Sequence, residues 1–217
     1  MCIRDSRCLD EPARRRLYGE DPVFIFDPLD TRNRPDPIDH AAALITWPIY
    51  PRSLQALFEQ TFCAGLRDPG KRSLTGQWRQ AFAACLDRRQ ICGACGQETF
   101  PETDGAAAAA SCWSCGTPLP SPLRLQLGNA VVVAAPDNEL HLHHFDPLAT
   151  ESLRHPLARI EAHPDHGAIL GLRNLSEKPW RLSLAHGGGI DLEPGQTCNL
   201  APVTAITTPA GPITLLR

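Results

Sequence analysis

Four cysteines form the pattern in this chain with the clearest chemistry. Two C-x2-C pairs are separated by sixteen residues, which is the spacing of a zinc site: Cys92, Cys95, Cys112 and Cys115. Two residues between cysteines let both thiolates of a tight turn reach one tetrahedral ion at about 2.3 Å. Gly96 and Gly116 each follow a second cysteine and can adopt a left-handed conformation there. We therefore predict a zinc ribbon with two similar turns.

Other uses of paired cysteines fit this pattern less well. A redox C-x-x-C motif does not need a second copy, and iron–sulfur sites often use other spacings. With four sulfur ligands the ion has no open coordination position. We expect Zn²⁺ with a structural role and no catalysis at the metal.

The charge of the same segment argues against binding to nucleic acid. Residues 92–119 contain three acidic residues and no Lys or Arg, and four thiolates with Zn²⁺ add a formal charge of about −2. Phosphate contacts require Lys or Arg. We expect protein partners or substrates and no nucleic acid.

A second group of possible ligands lies in "ELHLHHF", which we predict to be a strand. On a strand, His141 and His143 share one face and could chelate a metal, although spacing supplies no third ligand. Solvated strand histidines, with His144 beside them, are the alternative. The chain has no nucleophile elbow, phosphate-binding glycine loop or HExxH motif, so we assign no catalytic residue.

The elements that must position the cysteines differ on the two sides of the ribbon. Residues 20–51 contain six prolines and predict an irregular segment, in which "VFIF" and "ALITW" are buried anchors or brief strands. Apolar residues at helical spacing then predict helices in "RSLQALFEQTFCAGL" and "TGQWRQAFAACLDRR", with a stop at Asp68-Pro69-Gly70. From Leu123 onward, short alternating segments between turn formers predict an all-β sandwich. The fold class is therefore α+β, in several parts.

The helical part resembles the end of the catalytic domain in a family of bacterial serine/threonine protein kinases. The resemblance rests on "LYGEDPVFIFDP", "NRP", "WPIYP", "LFEQTFCAGLRDPGKR" and a following Trp, in this order. In that family the segment leads into a four-cysteine zinc ribbon and a C-terminal β-domain. The resemblance implies that Asp68, Pro69 and Arg72 match a D-P-x-x-R word of the kinase C-lobe, and that Trp78 lies in its final helix.

Parts that phosphoryl transfer needs are missing from this chain. It has no glycine-rich loop, no V-A-I-K word, no H-R-D and no D-F-G. The A-P-E motif, whose Glu pairs with the matching Arg in the family, is also absent, so we expect Arg72 to be exposed or poorly paired. ATP and Mg²⁺ would bind only to a full-length parent kinase, and this chain alone is predicted to be inactive.

We predict four segments along the chain. Residues 1–7, which begin "MCIRDS", look like an artefactual leader from metagenomic sequencing. Residues 8–90 form the kinase C-lobe remnant, 91–119 the zinc ribbon and 120–217 the β-sandwich. No apolar run approaches the roughly 20 residues of a membrane span, and scattered cysteines fit a reducing compartment. We expect a cytoplasmic protein without a membrane partner.

The β-domain faintly resembles forkhead-associated (FHA) sandwiches, which bind phosphothreonine. The resemblance rests on "GLRNLS" and the later "EPG" turn, and it implies Arg173 and Ser176 as the nearby candidates for phosphopeptide binding. The alternative is a sandwich without that activity. The sequence as a whole predicts a C-terminal fragment of a bacterial serine/threonine kinase, whose ribbon and sandwich recruit partners or substrates. The rival prediction is a free-standing zinc-ribbon adaptor that binds proteins.

Overall fold

The computed structural model describes residues 11–101, 111–149 and 154–217. The predicted leader at 1–7 and the alanine run at 106–110 lie outside these residues. The described chain contains both helices and antiparallel sheets, so the predicted α+β class is confirmed. Among the described residues, the helices are too short or too polar to cross a bilayer. The chain divides into two compact units, Met1–Cys85 and Leu86–Arg217.

The first unit is helical. Its α-helices are α1 (Glu11–Arg15), α2 (Ala41–Thr46), α3 (Arg52–Glu59), α4 (Gly65–Arg67) and α5 (Thr75–Asp87), the last of which ends in the second unit. Two π-helical turns continue α1 and join α3 to α4, at Arg16–Glu20 and Gln60–Ala64. Single 3-10 turns occur at Thr31–Asn33, Trp47–Ile49 and Pro69–Lys71.

Local chemistry explains where these helices begin and end. The predicted stop after α4 is confirmed, since Pro69 has no amide donor and the Asp68 carboxylate accepts a hydrogen bond from the Gly70 amide at 3.0 Å. The "ALITW" segment, for which a brief strand was one prediction, is helical in α2 and the following turn. In "VFIF", Val23 is buried at 7% exposure and no strand forms, so this segment is an anchor.

Aromatic rings connect the elements of the first unit. Phe26 stacks on Trp47 with ring centroids 4.5 Å apart and an interplanar angle of 2°. Phe58 packs edge-on against both Trp47 and Trp78. The full aromatic array comprises Phe24, Phe26, Trp47, Phe58, Phe62, Trp78 and Phe82.

The second unit contains the ribbon and the sandwich. The ribbon hairpin pairs β1 (Gln90–Ile91) with β2 (Glu98–Thr99). The sandwich strands are β3 (Arg124–Leu127), β4 (Ala130–Val133), β5 (Glu139–Leu140), β6 (Ala158–Ala162), β7 (Leu170–Asn174), β8 (Trp180–Leu184), β9 (Gly189–Leu192), β10 (Thr197–Asn199), β11 (Val203–Thr208) and β12 (Gly211–Leu216). They form a four-stranded sheet in the order β10-β7-β6-β5 and a six-stranded sheet in the order β4-β3-β12-β11-β8-β9.

Alternating side chains of both sheets form one core. Leu125 and Leu127 of β3, Ile160 of β6, Leu172 of β7 and Ile213 of β12 are fully buried at 0% exposure. Successive side chains of a strand point to opposite faces, so a period of two places every second residue inside. The predicted sandwich of alternating strands is the observed architecture.

One predicted feature of the sandwich is wrong, and one strand was not predicted. The strand predicted for "ELHLHHF" ends at Leu140, and residues Leu142–His144 form a 3-10 turn instead. Strand β12, which had not been predicted, pairs with both β11 and β3 inside the six-stranded sheet. The Pro209-Ala210 turn brings β12 back beside β11, with Thr208 opposite Gly211.

Candidate metal centre

Each C-x2-C pair lies in a tight turn, and the two turns have the same hydrogen bonds. In the first, the Cys92 amide donates to the Gln97 carbonyl at 2.9 Å and the Gly96 amide donates to the Cys92 carbonyl at 2.8 Å. In the second, the Cys112 amide donates to the Thr117 carbonyl and the Gly116 amide to the Cys112 carbonyl, both at 2.9 Å.

The glycines of both turns have the predicted left-handed backbone. Their φ angles are +73° at Gly96 and +72° at Gly116, a conformation that a residue with a Cβ atom adopts only with strain. The chain can therefore reverse directly after each second cysteine.

The four sulfur atoms lie close enough together to share one metal ion. The Sγ atoms of Cys92 and Cys115 are 3.7 Å apart, and those of Cys95 and Cys112 are 3.6 Å apart. All four lie within 4.8 Å of one another. A tetrahedral ion with bonds of about 2.3 Å requires edges of about 3.8 Å between its ligands. The four cysteines could thus hold one metal ion, and the donor set fits zinc.

Burial divides the four cysteines into two kinds. Cys92 and Cys112, the first cysteine of each pair, are buried at 1% and 2% exposure and pack with Leu119. Cys95 and Cys115 are exposed. The cluster thus has one side against a small apolar core and one side at the surface.

The surroundings shift the pKa values of the two exposed thiols, Cys95 and Cys115, in opposite directions. Hydrogen bonds from the Thr117 hydroxyl and amide lower the pKa of Cys115 to about 6. The Gln97 amide acts to lower the pKa of Cys95, but partial desolvation and hydrogen bonds with the three neighbouring sulfurs together raise it to about 12. Neighbouring thiolates repel one another, and a bound dication removes this repulsion.

Polar contacts at the start of β1 connect the ribbon to the rest of the second unit. Arg89 forms an ion pair with Glu98 at 3.3 Å and donates to the Asn138 side chain at 3.4 Å. The Gln90 side chain donates to the Pro120 carbonyl at 3.0 Å. Trp113, between the last two cysteines, donates its indole N–H to the Glu98 carbonyl at 2.9 Å. This tryptophan, which is 40% exposed, therefore joins the two C-x2-C turns through a hydrogen bond.

The residues that match the kinase word have structural contacts in the first unit. Asp68 caps the turn at Pro69, as described above. Arg72 is exposed and donates its Nε–H to the Gly65 carbonyl at 2.8 Å. Among the described residues no carboxylate forms an ion pair with Arg72. Trp78 lies in α5 and belongs to the aromatic array.

The two candidates for phosphopeptide binding lie in different surroundings. Ser176 lines a cavity of about 640 Å³ in the sandwich, and its hydroxyl lies 2.7 Å from the Asn174 side-chain oxygen and accepts from Trp180 at 3.0 Å. Arg173 points outward from the four-stranded sheet, where it pairs with Glu161 at 3.6 Å. It is not among the residues that line the cavity.

The histidine pair is arranged differently from the prediction. Because the strand ends at Leu140, the shared strand face of His141 and His143 does not exist. The turn instead brings His143 and His144 to Asp87, with one ligand atom of each within 4.8 Å of the others. Sequence spacing could not reveal this group, since Asp87 is more than fifty residues away.

Comparisons with known proteins give little beyond these observations. No protein-family model matches the chain, and no curated protein matches it. One similar solved structure is the FHA domain of human APLF in complex with an XRCC1 bisphospho peptide, with 17% identity and a TM-score of 0.34. The match covers 45% of this chain and 99% of that chain. At this TM-score the likeness carries no conclusion about function.

Proposed function

We propose that the four cysteines bind one structural Zn²⁺ and that the ribbon and sandwich form a module that recruits protein partners or substrates. The observation that carries the metal proposal is the pair of sulfur separations, 3.7 Å and 3.6 Å, which match the edges of a zinc–thiolate tetrahedron. Four protein ligands leave no position for a substrate or a water molecule. The ion would therefore stabilise the fold and take no part in catalysis.

Elemental analysis of the freshly purified chain tests the metal. We expect one zinc per chain, and replacement by Co²⁺ should give the visible absorption of tetrahedral thiolate coordination. Cys112→Ser should abolish metal binding, whereas Cys198→Ser, which changes a buried cysteine outside the cluster, should not. Iron in place of zinc would contradict the zinc proposal, and a chain without metal would contradict the site itself.

The recruiting function would use the cavity beside Ser176. Its lining includes His155 and Lys178, which can donate hydrogen bonds to an anion, next to the apolar Leu157 and Trp180. Lys is a common ligand of phosphate groups, and the volume is in the usual range for ligand sites. Glu177 also lines the cavity and would oppose an anion. A phosphorylated peptide is the partner that this lining favours.

Fluorescence polarisation with phosphothreonine peptides tests the recruiting proposal. We expect binding that depends on the phosphate and that Lys178→Ala weakens by about tenfold, the effect of losing one charge-assisted hydrogen bond. Arg173→Ala is the matched control, because it removes a cation outside the cavity. Equal affinity for phosphorylated and unphosphorylated peptides would contradict the proposal, and loss of binding in Arg173→Ala alone would move the site to the sheet face.

We further propose that the chain is the C-terminal part of a bacterial serine/threonine kinase, located in the cytoplasm, with residues 8–90 from the C-lobe. The support is the ordered set of sequence words that ends in Asp68, Pro69 and Arg72. Extension of the reading frame in the source DNA tests this. H-R-D and D-F-G upstream would support a kinase that binds ATP and Mg²⁺. A genuine start codon without those motifs would favour the free-standing adaptor.

A further inference from the structure

Another cavity lies within the first unit. Its volume is about 390 Å³, in the usual range for ligand sites. One wall comes from residues 22–30, and the other follows the chain from the end of α3 into α4. The π-helical turn Gln60–Ala64 contributes Phe62, Cys63 and Ala64 to this second wall. Since π-helical turns are rare and often occur at functional sites, the place of this one beside a cavity indicates a binding site.

The apolar part of the lining is aromatic and partly open to water. Phe24 and Phe62 both line the cavity, and they stack on each other with ring centroids 5.7 Å apart. Phe62 is 38% exposed, and Leu29, which also lines the cavity, is 90% exposed. Covering such apolar surface is favourable, and the face of an aromatic ring also attracts a cation.

Four charged side chains line the same cavity, and three of them are already compensated. These three form ion pairs of 2.6 to 3.5 Å with neighbouring side chains: Asp30 with Arg32, Glu59 with Arg52 and Arg67 with Asp21. The fourth is Asp27, which forms no ion pair with any cation that the structure describes. The cavity therefore retains one negative charge beside its aromatic rings.

The turn that contains Asp27 keeps this side chain ionised. Its Oδ1 accepts hydrogen bonds from the Leu29 amide at 2.8 Å and from the Asp30 amide at 2.9 Å. These two bonds, the one from Asp30 first, lower the pKa of Asp27. Burial and a hydrogen bond to Asp27 raise the pKa of the Cys63 thiol to about 12. The thiol is therefore protonated at neutral pH, and the charge at this wall is that of Asp27.

The arrangement favours an organic cation over a metal ion. In the part of the chain that the structure describes, possible metal ligands converge within 4.8 Å in two groups, and neither group contains Asp27, Asp30 or Glu59. A carboxylate beside aromatic rings instead suits a charged group that is joined to an apolar body. An anion would be repelled by Asp27.

We propose that this cavity binds an organic ammonium ion with an apolar body, either a free amine or the lysine side chain of a protein partner. The ammonium group pairs with Asp27, and the apolar body packs against Phe24 and Phe62. This site differs in charge preference from the cavity beside Ser176, whose proposed ligand is an anion. The two units would then bind ligands of opposite charge.

Titration of the full chain with phenethylamine tests the site. We expect saturable binding by calorimetry, with NMR shifts at the amides of Phe62 and Cys63. 2-Phenylethanol, which has the same ring without the charge, should bind about tenfold more weakly, because it cannot form a charge-assisted hydrogen bond. Equal affinity for the amine and the alcohol, or shifts confined to other residues, would overturn the proposal.

A lysine peptide, acetyl-Leu-Lys-Leu amide, distinguishes the two sources of the ammonium group. Tighter binding of the peptide than of phenethylamine would support a protein partner, and the reverse order would support a free amine. Either order supports an ammonium site. If neither probe binds, the proposal is wrong.

Two matched substitutions test the role of Asp27. Asp27→Asn keeps the oxygen that accepts the two amides but removes the charge, so it should weaken binding of phenethylamine about tenfold and leave 2-phenylethanol unaffected. Asp36→Asn is the control, since Asp36 accepts from the Ile38 and Asp39 amides in the same pattern but lies outside the cavity lining. Equal losses in both variants, or none in Asp27→Asn, would overturn the proposal. If Asp27→Asn does not fold, the comparison of amine and alcohol on the unsubstituted chain still decides.

Discussion

The two compact units of this chain bury their apolar side chains to very different degrees. Among the described residues, 26 apolar side chains are buried, and only four of them lie in the first unit: Val23, Ala43, Leu54 and Cys85. The remaining ones belong to the ribbon and the sandwich. In the first unit, Phe62 and Phe82 are 38% and 46% exposed although both contact other rings.

This difference indicates that the two units are stabilised by different interactions. The sandwich removes a large apolar area from water, which is the dominant favourable contribution to folding. The first unit relies on contacts between rings and on polar contacts such as the Gln55 amide, which donates to the Trp47 and Tyr50 carbonyls. Small units with little buried area are marginally stable. We expect the first unit to unfold more easily than the second.

The largest expected effect is the loss of the ribbon when its metal is removed. Binding of a structural zinc contributes about 10–16 kcal/mol to the folding of small metal sites. Chelation, or Cys112→Ser, should therefore abolish amide protection in the described parts of residues 90–119. The sandwich should retain its protection because its own core does not include the cysteines of the cluster. Hydrogen exchange measured by mass spectrometry checks both expectations.

Cys198→Ser is the control for this experiment, since Cys198 lies in the sandwich core and outside the cluster. It should lower the stability of the sandwich slightly and leave zinc content unchanged. A sandwich that loses all protection together with the ribbon would show that the second unit depends on the metal as a whole. In that case the second unit would not owe its stability to buried area alone.

The next effect concerns matched leucines in the two units. Leu172 is 0% exposed in the sandwich and Leu54 is 3% exposed in α3. Leu172→Ala should lower the free energy of unfolding of the second unit by about 3–5 kcal/mol, because it leaves a cavity among fully buried neighbours. Leu54→Ala should cost about 2 kcal/mol, at the low end, because the core around it is small.

Denaturant unfolding followed by site-resolved hydrogen exchange separates the two effects. If the units unfold separately, each substitution should shift only the transition of its own unit. A single transition that both substitutions shift equally would contradict the expectation that the first unit unfolds more easily than the second. The two units would then unfold as one cooperative structure. Leu29→Ala, which changes a leucine that is 90% exposed, is the control and should change neither transition.

The parts of the structure that the sequence predicted are those determined by local spacing. The ribbon depends on two residues between cysteines and on a glycine after each pair, so its turns could be predicted in detail. The sandwich strands could be predicted wherever a period of two continues for several residues, as in β3 and β8. The stop at Asp68 followed from the chemistry of Asp and Pro in a turn.

The parts of the structure that were not predicted from the sequence depend mainly on contacts between distant residues. Asp87 meets His144 only because the sandwich brings the turn to the end of α5, and no spacing encodes this contact. The alternation in "ELHLHHF" predicts a strand, but residues Leu142–His144 form a 3-10 turn in which the His141 amide donates to Nδ1 of His144. Strand β12 was missed because "GPITLL" begins with Gly and Pro, which normally argue against a strand.

A smaller effect is expected in the aromatic array of the first unit. Phe26→Leu keeps an apolar side chain of similar size but removes the stack on Trp47. Aromatic pairs contribute about 0.5–1.5 kcal/mol beyond their buried area. The first unit should lose about this amount, and the second unit none, in the same unfolding experiment. An unchanged first transition would show that ring contacts do not stabilise this unit.

The smallest effect concerns the acid response of the first unit. Hydrogen bonds from the Arg32 side chain and amide lower the pKa of Asp30 to about 2, and the Arg32 side chain also lowers the pKa of Asp21. A depressed pKa in the folded state means that this stabilisation is complete above about pH 4, the value of a free Asp, and is lost as the pH falls toward 2. These groups are exposed, so the contribution to stability is small.

Arg32→Gln should move the pKa of Asp30 back toward its usual range and flatten the stability of the first unit between about pH 4 and pH 2. Asp36 supplies an internal control, because the amides of Asp39 and Ile38, and not an arginine, lower its pKa. NMR titration of the two carboxyl groups should show Asp30 shifted in the variant and Asp36 unchanged. Arg32 also forms an ion pair with Asp21. If the pKa of Asp30 does not shift in the variant, hydrogen bonds from backbone amides alone keep that pKa low. The first unit would then depend on local turns, and side-chain ion pairs would contribute little to it.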